Sequence, residues 1–541
     1  MWMKRISIIA LIVALAAAFA AAVHFGEGSA KALTCITPEA WETVAAGKER
    51  LYVEPREDRY GMLTIEGESA PYDSACEAGR YCVPVSVDAR ISDPGCALEW
   101  SNALADAYVL AEPGCDLTEA VGANRVFRLM ILLDNGYFER ELVFTGLPCL
   151  TIETNEKLSV YYGKDEKQGG ILRVFDPDGG ADGGYRVFAT GIRYEPRGGC
   201  TVAMDKPQYR IELRDGERKA RRETLLGLAA SEEIILSAQL TEQSRIRNDV
   251  CQRLWNALCD ADPGRGNRKV QDYEYADVIE QNEYIGLYGV MEGKPLAANA
   301  MHADDVLLKI RHAVSKEDAA EAKSVFDGRT IPACAEEAIR LTAGSPAQFI
   351  KALDYLSRYV FRTEPRAESF AAISEDLRLD NAVDYALFTE MTVGADNRYA
   401  NFYLYGEADG EGGMQFARIP WDMDRTFAHP YGFLPEEYDP GLVFTHAVPP
   451  EMQFLLDEHP DEIWPLLTAR WKELRAGVFS EEALCALVDE RAEILTESGA
   501  YAREYERWGY MNFRGPENLK SIMRARLFFL DNYFAGDAPA K

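Results

Sequence analysis

Asp396 and Asn401 stand five positions apart in Gly394-Ala-Asp-Asn-Arg-Tyr-Ala-Asn401. This D-x-x-x-x-N interval is the one by which a kinase catalytic loop presents a base to an acceptor hydroxyl and an amide to a metal ion. Further on, Phe416-Ala-Arg-Ile-Pro-Trp-Asp-Met-Asp-Arg-Thr-Phe427 supplies Asp422 and Asp424. Two hard carboxylates and one amide oxygen make a donor set for Mg²⁺ or Mn²⁺, and phosphoryl transfer needs little else from protein carboxylates. A plainer reading stands beside it. Asp396 and Asn397 form an Asx-turn at a helix end, and Asp422 closes a strand with its carboxylate in solvent. Spacing alone leaves both open.

Elements must aim these groups. Phe402 to Asp424 reads as strand, acidic Gly-rich turn and strand, which returns Asp422 and Asp424 to the end where Asp396 and Asn401 lie. Around this insert, Phe349 to Val360, Asn381 to Val393, Ile463 to Leu474, Glu481 to Leu495 and Asn518 to Phe534 carry three-to-four-residue apolar spacing and predict helices. Upstream, Ile246, Val250, Leu254 and Leu258 predict one amphipathic helix, and Tyr273 to Ile279 with Tyr284 to Met291 a hairpin ending at Glu292-Gly293. Strands also dominate from Cys149 to Leu213. The series Asp176-Pro-Asp-Gly-Gly-Ala-Asp-Gly-Gly184 there lacks the helix and closing Glu of a calcium-binding EF-hand and reads as turn chemistry. The order is α+β: strands and one helix, then a mainly helical half with a β insert, which fits two lobes and a cleft.

Composition bounds the rest. The 541 residues carry 88 acidic and 58 basic side chains, a formal charge of −30, so nucleic acid is not an expected partner. Lys4 and Arg5 precede an apolar run from Ile6 to Val23, and Ala30-Lys31-Ala32 has the form of a cleavage site, so residues 1–32 are expected to be a signal peptide. Membrane contact is expected only through this segment, were it to stay uncleaved as an anchor. The protein is therefore expected to be secreted or extracytoplasmic. Residues 33–147 read as a small β-rich module. Cys35, Cys76, Cys82, Cys96, Cys115 and Cys149 fall in the first third, and in an oxidising compartment they allow up to three disulfides.

Several segments resemble the spore coat protein H (CotH) kinase family. Asn401-Phe-Tyr-Leu-Tyr405 followed by Ile419-Pro-Trp-Asp-Met-Asp-Arg-Thr-Phe427 carries the most distinctive likeness. Lys206-Pro-Gln-Tyr-Arg-Ile-Glu-Leu213, Leu225-Leu-Gly-Leu228, Ser244-Arg-Ile-Arg-Asn248 and Glu283-Tyr-Ile-Gly-Leu-Tyr288 follow the family's order, from about Leu147 onward. The resemblance implies an atypical protein-kinase-like fold, with a β-rich small lobe over 148–293 and a mainly helical large lobe over 294–541. It implies ATP and Mg²⁺ or Mn²⁺ as cofactors. Lys206 would contact the nucleotide phosphates, Arg197 and Gly198 would begin the phosphate-covering loop, and Glu292 would lead into the hinge beside the adenine. Asp396 would orient or deprotonate the acceptor hydroxyl, Asn401 and Asp422 would hold metal, and Asp424 would be a further ligand or a support. Arg245 and Arg247 would meet phosphate or an acidic partner, or form a solvated helix face.

The chain departs from the family at Arg197-Gly-Gly-Cys-Thr201 and at Ala428-His429. The expected function is transfer of the γ-phosphoryl of ATP to Ser or Thr of a secreted or surface protein. The alternative is a non-catalytic surface or coat assembly module, which the scarcity of ATP outside cells favours. A carboxylate-pair hydrolase is a third class. No G-x-S-x-G elbow, H-E-x-x-H helix or Walker loop occurs, since Tyr288 stands where the glycine before Gly293-Lys294 would be needed.

Overall fold

The computed structural model describes residues 30–536 except 87, 155–166, 181, 199–203, 243, most of 313–337, 361–368, 428–446 and 510–514. The apolar part of the expected signal peptide, the Gly199 to Thr201 stretch and Ala428-His429 lie outside the described residues. Lys31 and Ala32, placed at the end of that signal, pair with Trp100 and Glu99 as a short strand.

Residues 30 to 147 form two small sheets. The larger has seven strands and is centred on the hairpin Val126–Leu133 and Gly136–Thr145. Leu129, Ile131, Phe138, Leu142 and Trp100 fill its core, and Cys149, Phe175, Ile279 and Tyr284 of the next unit join the same apolar cluster. No disulfide bridge joins the described cysteines. All nine described cysteines, including the six of the first third, are free thiols. Cys82 and Cys149 are buried in this core as small apolar side chains.

A closed seven-stranded barrel follows: β1 (Cys149–Thr154), β2 (Gln168–Asp176), β3 (Arg186–Arg197), β4 (Gln208–Arg214), β5 (Glu233–Ser237), β6 (Glu274–Glu280) and β7 (Glu283–Glu292). Its order is β1-β2-β3-β4-β5-β7-β6, and a parallel β1–β6 pairing closes it. Period-two alternation sends Tyr209, Ile211 and Leu213 of β4 inward and Gln208, Arg210 and Glu212 outward. Helix α1 (Arg247–Ala261) is inserted between β5 and β6.

The second half is mainly helical around one four-stranded sheet. The sheet order is β9-β8-β10-β11, from β8 (Val306–Ile310), β9 (Ile339–Ala343), β10 (Phe402–Ala408) and β11 (Met414–Pro420). Against it pack α2 (Pro346–Tyr355) and α3 (Leu379–Thr392), followed in chain order by α4 (Pro450–Glu458), α5 (Pro460–Arg475), α6 (Glu481–Glu497), α7 (Ala500–Trp508) and α8 (Pro516–Ala535). A Ser345/Gln348 capping box starts α2. Every residue of α3 from Asn381 to Thr392 is buried, so this helix is a core rod. The chain is thus a mixed α+β protein. Among the described residues, no helix is long and apolar enough to cross a membrane.

Candidate functional site

Helix α3 ends at Val393 in a left-handed conformation, and the chain turns through a short helical turn, Ala395–Asn397, into β10. The hairpin β10/β11 pairs Phe402 with Pro420, so the segment before β10 and the segment after β11 emerge side by side. Asn397 ties them together. Its amide donates to the carbonyls of Asn401 and Trp421, both at 2.7 Å, and Trp421 N–H donates to Asn401 O at 3.1 Å. Asn401 and Asp422 hold φ of +53° and +58°, a region Asn and Asp tolerate better than other residues with a side chain. Such strain persists only where surrounding bonds over-determine it, and it collects at functional sites.

These segments open on a cleft of about 470 Å³ whose walls carry Asp396, Asn401, Asp422 and Asp424 together with Arg197 and Gly198. Asn401 Nδ2 donates to Asp396 Oδ2 at 2.8 Å, which leaves the amide oxygen as the atom Asn401 offers a cation. Burial pushes the Asp396 carboxyl upward, with Arg425 opposing and Asp422 adding to the rise. Burial, then the neighbouring Asp422 charge, drives Asp424 well above the ordinary carboxylate range. Paired carboxylates that resist sharing negative charge fit a divalent cation, which removes the repulsion. Among the described residues no group of three or more His, Cys, Asp or Glu encloses a metal position. Asp422, Asp424 and Asn401 share the cleft wall as two carboxylates and one amide.

The cleft is basic in an acidic protein. Lys309 of β8, Arg340 of β9 and Arg425 line it, and none of the three forms an ion pair among the described residues. Lys309 Nζ sits 3.8 Å from the Trp421 ring centroid, and the Arg197 guanidinium lies 5.4 Å from the same centroid. Burial and then the nearby Arg197 charge hold the Lys309 ammonium well below its usual range. Unpaired cations crowded into a partly dry cleft favour a polyanionic ligand.

Two expected site residues lie elsewhere. Lys206 is 1% exposed and is absent from the cleft walls. Its ammonium donates to Glu504 at 2.8 and 3.0 Å and to Leu287 O at 2.5 Å, over the Tyr288 ring. A buried ammonium takes the nearest carboxylate, and here that belongs to α7. Glu292 is also buried away from the cleft, accepting from Ala229 N–H at 2.7 Å and Asp272 N–H at 3.0 Å. Arg245 and Arg247 do not form a solvated helix face. Both are buried, paired with Glu504 and Glu242 respectively.

Glu292 gives a pH signature. Burial raises its carboxyl from 4.5 to about 7. The folded state then keeps a proton that the unfolded state releases, so its stability contribution is full below pH 4.5 and falls as pH rises to about 7. The change is on the order of 3 kcal/mol. Urea unfolding of the native chain and of Glu292→Gln across this window should give diverging curves, with the slope in the native chain alone. Parallel curves would refute the assignment.

Sequence reading missed Lys309, Arg340, Arg425, the Asn397 staple and Arg418. The signal for Lys309 was one charge inside the apolar strand Val306-Leu-Leu-Lys-Ile310. Arg418 is 3% exposed. It donates to Glu451 from Nε and, at 2.7 Å, from a terminal nitrogen, and to the Arg398 carbonyl at 3.0 Å.

The family described as CotH kinase protein matches residues 194–530, more than half of the chain. The match begins within β3 and spans every cleft residue named above, while the front module and the first two barrel strands precede it. No curated protein matches the chain.

Proposed function

Because this chain belongs to the CotH kinase family, we propose that its cleft transfers the γ-phosphoryl group of ATP to a Ser or Thr hydroxyl of a protein outside the cytoplasm. In this reading the barrel and the helical half are the small and large lobes of a kinase-like fold. The observation that carries it is the meeting, in one cleft, of Asp396, Asn401 and Asp422 with cations that have no ion-pair partner among the described residues.

The roles follow from charge and position. Lys309 and Arg197, beside the Trp421 ring, neutralise the phosphate oxygens in place of the buried Lys206. Asp396 orients the acceptor hydroxyl and receives its proton as the new O–P bond forms and the bond from the γ-phosphorus to the ADP oxygen breaks. Asn401, Asp422 and Asp424 would hold Mg²⁺ or Mn²⁺, which when bound neutralises charge on the transferred group. Targets outside the cytoplasm follow from the export signal expected over residues 1–32. A non-catalytic binding module is the second reading, favoured by the displacement of Lys206 from the cleft.

Incubation of the chain with γ-labelled ATP, Mn²⁺ and secreted proteins should label the chain itself or a target. No label and no nucleotide binding would end the proposal. Lys309→Met should weaken ATP binding by about tenfold or more, the scale of one charge-assisted hydrogen bond. Titration calorimetry with a non-hydrolysable analogue reads this directly, and unchanged affinity in a folded variant would remove Lys309 from the phosphate site.

A further inference from the structure

Glu504 sits on α7, 298 positions beyond Lys206, yet its carboxylate gathers four hydrogen bonds at 4% exposure. Lys206 Nζ donates to both oxygens, Arg245 Nε donates at 3.0 Å, and Leu287 N–H donates at 2.9 Å. Three separate segments of the barrel unit therefore end on one side chain. Gly286 makes the approach feasible. Its φ is +108°, and a Cβ there would lie 2.5 Å from Glu504 Oε2.

Each partner leads toward the cleft. Lys206 stands two residues before β4, whose Gln208 and Arg210 line the cleft wall. Arg245 stands at φ +64° and also donates to the carbonyls of Gln239 at 2.9 Å and Leu240 at 3.2 Å, which shapes the entry to α1. Within the first turn of α1, Asn248 Oδ1 accepts from Met423 N–H at 2.7 Å, between Asp422 and Asp424. The rest of α7 grips the same barrel. Arg503 donates to the buried Asp277 at 2.6 Å, Arg507 to Tyr284 O at 2.9 Å, and Trp508 to Ile285 O at 3.2 Å.

We infer that Glu504 is a positioning residue for the cleft, a carboxylate that sets the cleft wall at Gln208 and Arg210 through Lys206 and the Asp422–Asp424 turn through Arg245, α1 and Asn248. The inference rests on the phosphotransfer reading of the cleft for its functional meaning, while its mechanical content stands on the contacts alone. Glu504→Gln keeps the shape and removes the charge that holds both cations.

The test compares the full chain with Glu504→Gln and Lys206→Met by hydrogen exchange and by binding of AMP-PNP with Mn²⁺. In both variants, exchange should accelerate by about tenfold or more over 204–210 and 239–248, and AMP-PNP affinity should fall by about ten- to a hundredfold. The double variant Lys206→Met/Glu504→Gln should be no worse than the poorer single one, because both act through one contact. Lys206→Arg should retain most of the affinity. If Glu504→Gln does not fold, Lys206→Met and Lys206→Arg carry the same comparison. Unchanged exchange in both segments, or additive losses in the double variant, would overturn the inference. A native chain that binds no AMP-PNP would instead overturn the phosphotransfer reading, and the exchange result alone would then decide the clamp.

Discussion

Asp396→Asn should leave Mn²⁺-dependent nucleotide binding within a few-fold of the native chain and lower the transfer rate by about 10²- to 10⁴-fold, the range of a lost general base. The substituted amide can still accept the Asn401 N–H, now 2.8 Å from Asp396, so the loop keeps its form. Asp422→Asn should behave differently. It removes a hard carboxylate from the metal set and should weaken metal-dependent nucleotide binding by more than about 10²-fold along with transfer. Calorimetry with Mn²⁺ and an ATP analogue, run beside label transfer, separates the two. If both variants keep full transfer, the cleft is not a phosphotransfer site. If Asp396→Asn keeps every cellular phenotype although transfer stops, the second reading, a binding module, becomes the better one.

Arg418→Met should cost about 3–5 kcal/mol of stability, the largest single-site effect expected outside the cleft. Glu451 is 2% exposed, and without Arg418 it becomes a buried charge with its main partner gone. The Arg398 carbonyl loses its donor at the same time, so the loop carrying Asp396 and Asn401 is loosened together with the core. Urea unfolding measures the loss. Arg418→Met/Glu451→Met should recover much of it, because the desolvation cost disappears with the second charge. Recovery of stability without recovery of transfer would show that the guanidinium also poses the loop. A loss below about 1 kcal/mol in the single variant would mean that Glu451 finds another partner or takes up a proton.

The motif around Asp396 was legible because its constraints are local. A D-x-x-x-x-N interval, a hairpin of period-two strands and a carboxylate pair at the hairpin's end need only backbone geometry to meet, and the pairing of Phe402 with Pro420 does this. Helices such as α3 and α6 were legible for the same reason, since their apolar spacing is set by 3.6 residues per turn. Disulfides were a weaker inference. Cysteine count and an expected oxidising compartment say only that bridges are permitted, and the described cysteines are free thiols.

Lys206 shows where local reading stops. Its family likeness suited a phosphate contact, while its residue type and strand context alone suited an ordinary snorkelling strand lysine better. Its partner is a carboxylate 298 positions away, on a helix close to the C-terminal end of the described residues. Lys309 is the complementary case, a lone charge in an apolar strand that gains meaning only when Trp421 and Arg197 arrive from other elements. Residue order alone settled the kinds of element and the family, and it named the carboxylates and the amide that meet in the cleft. Which cations face the cleft was decided by tertiary packing, because a long charged side chain goes to whichever oppositely charged or aromatic group the fold brings within reach, and contacts between distant segments exist only in the folded chain.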